Sequence, residues 1–347
     1  MGIFSELESR IFKNESVLSP DYSPADLPHR EGEIAQLARN IMPASRGGKP
    51  QNTFLYGPPG VGKTAVTKHI FNEFEEYSER VKCVYINCWD FKTATAVFSE
   101  IANQMGFFVL RHGWGKDEVM KRFIEAANKS KKSIIACLDE VDQLDNEALY
   151  DLVRINQYIH SPVGIIFVSN NPHVFASIEP RIRSSLAAEE IEFKGYSILE
   201  MKDILAQRAK DAFHSFDSAV VMLCANEAMQ KGGDVRIGLQ CLLKAGREAE
   251  KDARTVKVEH VKKIISKVKP AKPELLKERI TDTERKILDI LGDREWKSGE
   301  LYEEYKRQSS KPISDRAFRE YVNHLSEIGL VKIAPKRVGS HRIICKA

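Results

Sequence analysis

The chain has 347 residues, about twice the ~150 expected of one domain, so two or three domains and a sizeable core are expected. With 42% hydrophobic residues, 29% charged residues and a net charge of +4 it reads as an ordinary soluble globular protein. No apolar run approaches the ~20 residues of a membrane span, and MGIFSELESR lacks the basic start and apolar core of a secretory signal, so nothing argues for a membrane or exported protein and the cytoplasm is the expected location.

Up to about residue 195, strands alternate with helices. Apolar, β-rich runs at 53–56, 81–87, 133–139, 164–169 and 190–193 are separated by amphipathic patterns such as 96–105 and 118–127. The alternation predicts an α/β core, a parallel sheet wrapped by helices. From 197 to about 267 no strand pattern appears. The segments 198–213, 218–231, 234–253 and 258–267 read as four helices, the third opened by Gly232-Gly233-Asp234. Then comes KVKPAKPELLK, whose two prolines and four lysines read as a linker. The expected organisation is an αβ core over 1–195, a helical lid over 196–268, a linker over 269–280 and a small C-terminal domain over 281–347. Six cysteines are scattered through the chain without a CxxC pair, which fits reduced, buried thiols.

The strongest motif is NTFLYGPPGVGKTAV. Its Gly57-x-x-x-x-Gly62-Lys63-Thr64 follows a strand and opens a helix, the context a phosphate loop requires. Residues Gly57, Pro58, Pro59, Gly60, Val61, Gly62, Lys63, Thr64 and Ala65 would curl backbone N–H groups around the phosphates of ATP or ADP, helped by the helix N-terminus. Lys63 would reach the β- and γ-phosphates, and the Thr64 hydroxyl would hold Mg²⁺. The third strand, IIACLDE, ends in two carboxylates at the sheet edge, suited to Mg²⁺ coordination by Asp139 and water activation by Glu140. The fourth ends FVSNN, where Asn170 would orient the attacking water; Asn is also a common strand-end turn residue.

The charge excess lies at the other end. From Lys306 onward there are 10 Lys and Arg against 3 Asp and Glu, which leaves open a phosphate-facing surface or a merely solvated basic face. ERKILDIL, GELYEEYKRQ and SDRAFREYVNHLSEIGL form three helical patterns, followed by two short strands around PKRVGSHR. In the third, Phe318, Val322, Leu325 and Ile328 share one face that packs inward, Ser314 is a natural N-cap, and Arg316, Arg319 and Asn323 project elsewhere. A winged helix places such a helix in the DNA major groove, where arginine reads guanine and asparagine reads adenine. The wing would set Lys336, Arg337, His341 and Arg342 against phosphates or the minor groove, with Lys311 just ahead of the helix.

GPPGVGKT, LDEVD, VSNN, IEPRIRSSL and GGDVR occur in the order found in the AAA+ ATPases, which the chain resembles. PHREGEI ahead of the phosphate loop, YINC after the second strand and FKGYSILEMKDILAQRA entering the lid narrow this. With the C-terminal winged helix, they make the chain similar to the archaeal origin-recognition and cell-division-control initiator proteins, over nearly its whole length. The resemblance implies that His29 and Arg30 line the adenine pocket, that Tyr196 lies against the base and that Arg208 faces the nucleotide. It also implies that Arg236 senses the γ-phosphate and that Arg181, with Arg183 as second choice, reaches a neighbouring subunit's nucleotide. It further implies slow ATP hydrolysis used as a switch, double-stranded origin DNA and other initiator subunits as partners, recruitment of the replicative helicase, and a place at the nucleoid. MGFFVLRHGWGKDE sits where that family carries a DNA-touching insertion, so Arg111 and His112, beside Phe107, Phe108 and Trp114, are candidates for a second contact; the stretch is shorter and richer in glycine than the insertion. An AAA+ clamp-loader or remodelling subunit, and a nucleotide-switched transcription regulator, remain the alternatives.

Overall fold

The computed structural model describes residues 10–346 except 21, 112, 177–182, 184, 252–254, 268–281, 293, 295, 310–312, 328–330 and 336–341. The five expected strands form: β1 (Thr53–Tyr56), β2 (Val81–Asn87), β3 (Ser133–Asp139), β4 (Val163–Ser169) and β5 (Glu189–Glu192). They make one parallel sheet in the order β2-β3-β4-β1-β5. Because β3 and β4 are buried on both faces, they read as unbroken apolar runs rather than alternating ones.

Alternate residues feed two separate cores. Phe54, Val84, Ile86, Ala136, Leu138 and Phe167 pack on one face against α3 (Ala94–Gln104), α4 (Lys116–Ser130) and α5 (Asn146–Arg154). Leu55, Cys83, Ile135, Cys137, Ile166 and Val168 point the other way, against α1 (Glu31–Ile41) and α2 (Lys63–Tyr77). Shifting any of these strands by one residue would exchange the two sets, so the register is strongly determined.

The lid helices are α6 (Ile198–Ala212), α7 (Ser218–Gln230), α8 (Val235–Ala249) and α9 (Val258–Lys267). A capping box starts α6: the Ser197 hydroxyl accepts from the Glu200 N–H at 3.3 Å, and the Glu200 carboxylate accepts from the Ser197 N–H at 2.7 Å. Asp217 and Asp234 cap the next two. The third helix stops at Ala249 rather than reaching 253, closed by tight turns from the Glu250 N–H to Gly246 O and from the Lys251 N–H to Glu248 O. Met201, Leu205, Leu239 and Leu242 belong to the same apolar cluster as one face of the sheet, and residues 1–265 accordingly form one compact unit. Ile11 and Phe12 join that cluster, and the Lys13 N–H donates to Ala212 O at 2.7 Å, so the N-terminal segment is fastened to the lid.

The second unit spans 266–347. It carries α10 (Asp282–Leu291), β6 (Trp296–Lys297), α11 (Ser298–Gln308), α12 (Asp315–Glu327), β7 (Val331–Pro335) and β8 (Arg342–Lys346). The strands form an antiparallel sheet in the order β6-β8-β7, and β6 was not visible in the sequence pattern. Ile287, Leu291, Leu301, Tyr305, Phe318, Val322, Leu325 and Ile344 form its core. Five cysteines are buried and Cys345 is half-buried; all six are free thiols. Among the described residues no helix is long and apolar enough to cross a membrane.

Candidate functional site

Parallel pairing brings the carboxyl ends of β1, β3 and β4 to one edge. The loop after β1 needs its glycines: Gly57, Gly60 and Gly62 hold φ values of 148°, 72° and 94°. A Cβ on Gly57 would lie 2.1 Å from Phe193 O, and one on Gly60 would lie 1.8 Å from the Asp234 carboxylate. The lid thus packs directly on the phosphate loop, and the Val235 N–H donates to Gly60 O at 3.4 Å.

Lys63 opens α2 and is buried. Its ammonium donates to Gly57 O at 2.7 Å, Pro58 O at 2.8 Å and Asn170 Oδ1 at 2.8 Å. The Asn170 amide donates in turn to both Glu140 oxygens, at 3.3 and 3.4 Å. The Thr64 hydroxyl donates to Asp139 Oδ2 at 2.7 Å, and the Glu140 N–H donates to Asp139 Oδ1 at 2.9 Å. Glu140 adopts the left-handed conformation, φ 55° and ψ 49°, which turns the chain sharply after β3 and is costly for a non-glycine residue. Ser169 donates to Asp142 at 2.8 Å, tying the end of β4 to the turn that carries Glu140. Lys63, Thr64, Asp139, Glu140 and Asn170 are therefore one connected network, as the strand ends implied.

Burial pushes the Lys63 ammonium down to about 8, offset by the carboxylates of Asp139 and Glu140 and reinforced by the Arg236 charge. Glu140 is raised above the usual carboxylate range, first by burial and then by the Asp139 and Asp142 charges. A phosphate placed at Lys63 favours the charged amine. Above pH 8, metal-free nucleotide binding should therefore take up a proton, and affinity should fall with rising pH. Calorimetry in buffers of different ionisation enthalpy reads this directly; zero proton uptake at pH 8.5 would contradict it.

Arg236 follows the α8 cap, half-exposed and near enough for its charge to act on Lys63, with its Nε donating to the Asp234 carboxylate at 3.1 and 3.2 Å. Arg30 is 5% exposed and ties three segments together: it donates to Val61 O at 2.9 Å and Lys194 O at 2.7 Å, and pairs with Glu33 at 3.0 Å. Its guanidinium lies 4.0 Å from the centre of the Tyr196 ring, whose hydroxyl donates to Val61 O at 3.0 Å. His29, at φ 65°, faces Asp203 of α6 at 3.5 Å. The structure thus gathers His29, Arg30 and Tyr196 behind the phosphate loop at the start of the lid. Arg208 reaches the N-terminal segment instead, donating to Val17 O at 3.3 Å and lying 4.9 Å from the Tyr22 ring centre.

Thr64 and Asp139 fit a magnesium ion by their chemistry. Both offer hard oxygen donors side by side, and Mg²⁺ usually takes only one or two protein oxygens besides phosphate and water. Among the described residues no cluster of three His, Cys, Asp or Glu forms a self-sufficient metal cage.

In the second unit, Phe318, Val322 and Leu325 are buried as the helical spacing predicts, and the Ser314 hydroxyl accepts from the Ala317 N–H at 3.3 Å. Arg316 and Arg319 are exposed and pair along their own helix, with Glu320 at 3.2 Å and Asp315 at 2.7 Å. Such exposed pairs are weak and readily exchanged for a phosphate or a base. Asn323 is exposed on the same helix. Arg181, His112, Lys311, Lys336, Arg337 and His341, the inward-facing candidate Ile328, the expected linker and the side chain of Arg342 lie outside the described residues. Arg183 is exposed. Around Arg111, Phe107 and Trp114 pack onto the core while Phe108 stays 80% exposed. The Arg111 guanidinium sits 4.6 Å from the Phe91 ring centre and donates to Asp90 O.

The strand order, the phosphate loop and the paired carboxylates together define a nucleotide-binding ATPase core of the AAA+ class. Residues 46–174 match the AAA domain family, and residues 202–266 match the Cdc6 AAA+ ATPase-type lid domain. ORC1-type DNA replication protein 1 of Archaeoglobus fulgidus is 36% identical, over 99% of this chain and 90% of its own. The ORC1-type DNA replication protein of Pyrococcus furiosus is 34% identical, over 93% and 83%. The structure of the Aeropyrum pernix ORC1 protein in complex with DNA superposes with a TM-score of 0.78 at 32% identity, covering 98% of this chain and 94% of that one. The chain belongs to the ORC1-type DNA replication protein family.

Two side chains of this site were not singled out from the sequence, although both lie in quoted motifs. Tyr85 of YINC donates to Asp139 Oδ2 at 2.6 Å, and Asp234 of GGDVR is both the α8 cap and the partner of Arg236. A tyrosine two residues before the end of a strand next to the acidic one was the available signal for the first.

Proposed function

We propose that the protein is an ATP-regulated replication initiator that binds origin duplex DNA sequence-specifically, through a winged helix formed by its second unit. The carrying observation is the union in one chain of a complete phosphate-loop network and a helix that exposes Arg316, Arg319 and Asn323 over a packed core. A family relative whose structure was solved with DNA supports that reading.

Nucleotide binding begins at the loop amides and Lys63. Thr64 and Asp139 would hold Mg²⁺, which would supply positive charge to neutralise the phosphates. Asn170 and Glu140 form a polar pair that positions and deprotonates the attacking water. Arg236, exchanging Asp234 for the γ-phosphate, lets the lid register which nucleotide is present. Hydrolysis serves as slow switching chemistry, and the lid state governs assembly with other initiator subunits and recruitment of the replicative helicase.

Selection from a random duplex pool with ATP and with ADP tests this, followed by footprinting of the enriched site. A shared motif is expected, bound with an affinity that depends on nucleotide. Arg316→Ala should relax base preference at one position by about 10- to 100-fold, equivalent to ~1–3 kcal/mol. A pool without enrichment, together with binding that ignores nucleotide, would leave only an ATPase of the AAA+ class.

A further inference from the structure

We propose that Tyr85 is a positioning residue for the metal–nucleotide complex: its hydroxyl locks Asp139 in the orientation that presents a carboxylate oxygen beside Thr64. The proposal rests on the reading of Thr64 and Asp139 as the magnesium-holding pair and adds a third, non-ligating member.

Asp139 is 5% exposed, and both of its oxygens accept hydrogen bonds. Oδ2 accepts from the Tyr85 hydroxyl at 2.6 Å and the Thr64 hydroxyl at 2.7 Å, while Oδ1 accepts from the Glu140 N–H at 2.9 Å. Hydrogen bonds donated to a carboxylate are short and strong, and they fix its orientation. Of the three, the Glu140 amide is fixed by the backbone, and the Thr64 hydroxyl must turn its lone pair to the ion. Among the described residues, Tyr85 is the side chain that can hold Asp139 throughout.

Neighbouring strands set its reach. β2 and β3 pair with Asn87 opposite Asp139 and Tyr85 opposite Cys137, so Tyr85 lies two residue pairs before the carboxylate, on the same face of the sheet, and its phenol reaches along the strand toward it. Its ring is held independently, with the Lys68 ammonium 4.6 Å from its centre, and the Cys88 N–H donates to Asp139 O at 2.8 Å. Groups that orient a metal ligand from behind commonly change metal affinity or activity by about 10–100-fold when removed.

The experiment uses the full chain with Tyr85→Phe, which removes one oxygen and keeps the ring over Lys68. A fluorescent ATP analogue is titrated in EDTA and then at rising Mg²⁺. The expected result is unchanged metal-free affinity and an unchanged melting temperature, with the Mg²⁺ concentration for half-maximal enhancement raised about ten-fold. Identical Mg²⁺ curves for both proteins overturn the role of Tyr85 while leaving Thr64 and Asp139 as the metal pair. Equal weakening with and without Mg²⁺ marks Tyr85 as structural only and also overturns the proposal. A wild-type protein whose nucleotide affinity ignores Mg²⁺ would instead overturn the reading of Thr64 and Asp139, and the role of Tyr85 with it.

Discussion

Lys63→Ala is expected to weaken ATP and ADP binding by two orders of magnitude or more while leaving the fold intact. The ammonium already sits where three acceptors converge, Gly57 O, Pro58 O and Asn170 Oδ1, at 2.7–2.8 Å. Those acceptors are what a phosphate oxygen competes with. A charge-assisted hydrogen bond contributes about 1.5–3 kcal/mol, so losing two such contacts to the β- and γ-phosphates accounts for the expected loss. The fold tolerates the change because burial already disfavours the charged amine, which stands at about 8 rather than near its ordinary value. Two loop carbonyls lose a donor, but the loop remains held by Arg30 and Tyr196, both bonded to Val61 O. Isothermal titration with ADP and ATP, beside a thermal melt, checks both halves. Undiminished affinity in a folded variant would refute the phosphate-loop assignment.

The parallel sheet was legible mainly because its central strands β3 and β4 are buried on both faces and so appear as short apolar runs ending in functional residues. β1, β2 and β3 lie where the pattern placed them, β4 begins one residue earlier, and β5 is shifted by one residue. The phosphate loop, Asp139, Glu140 and Asn170 were legible for a related reason: each directly follows or ends a strand, so sequence position alone carries it to the sheet edge. Contacts between distant segments could not be read that way. Tyr85 meets Asp139 only through the β2–β3 register, and Asp234 meets Gly60 only because the lid folds back onto the loop. Arg208 was placed toward the nucleotide, yet its partners are Val17 and Tyr22, brought there by an N-terminal segment whose packing on the lid has no periodic signature. β6 is only two residues long and gains its pairing from β8, nearly fifty residues later in the chain, so no local propensity announces it.

Glu140→Gln separates binding from chemistry. Glutamine keeps the length and planarity of the side chain and can still meet the Asn170 amide, which now lies 3.3 Å from the nearer Glu140 oxygen. It cannot accept a proton from water. The backbone of the residue is held independently, because its N–H donates to Asp139 and its left-handed turn is closed by the Gln143 N–H donating to Glu140 O at 2.9 Å. The change should therefore leave Lys63, Thr64 and Asp139 where they are. It also removes a negative charge from a buried cluster in which Asp139 and Asp142 already push Glu140 upward, so nucleotide affinity should stay the same or improve. Turnover should fall about 10²–10⁴-fold, the range for loss of a positioned general base. Single-turnover hydrolysis of bound ATP is the decisive measurement, since it is blind to product release. Hydrolysis at the wild-type rate would remove Glu140 as the water-activating group and shift that role elsewhere on the sheet edge. A large fall in both binding and turnover would instead mean that the carboxylate supports the loop itself. The expected combination, tight ATP and lost hydrolysis, would also yield a protein arrested in one nucleotide state, in which the influence of the lid on DNA affinity can be measured without turnover.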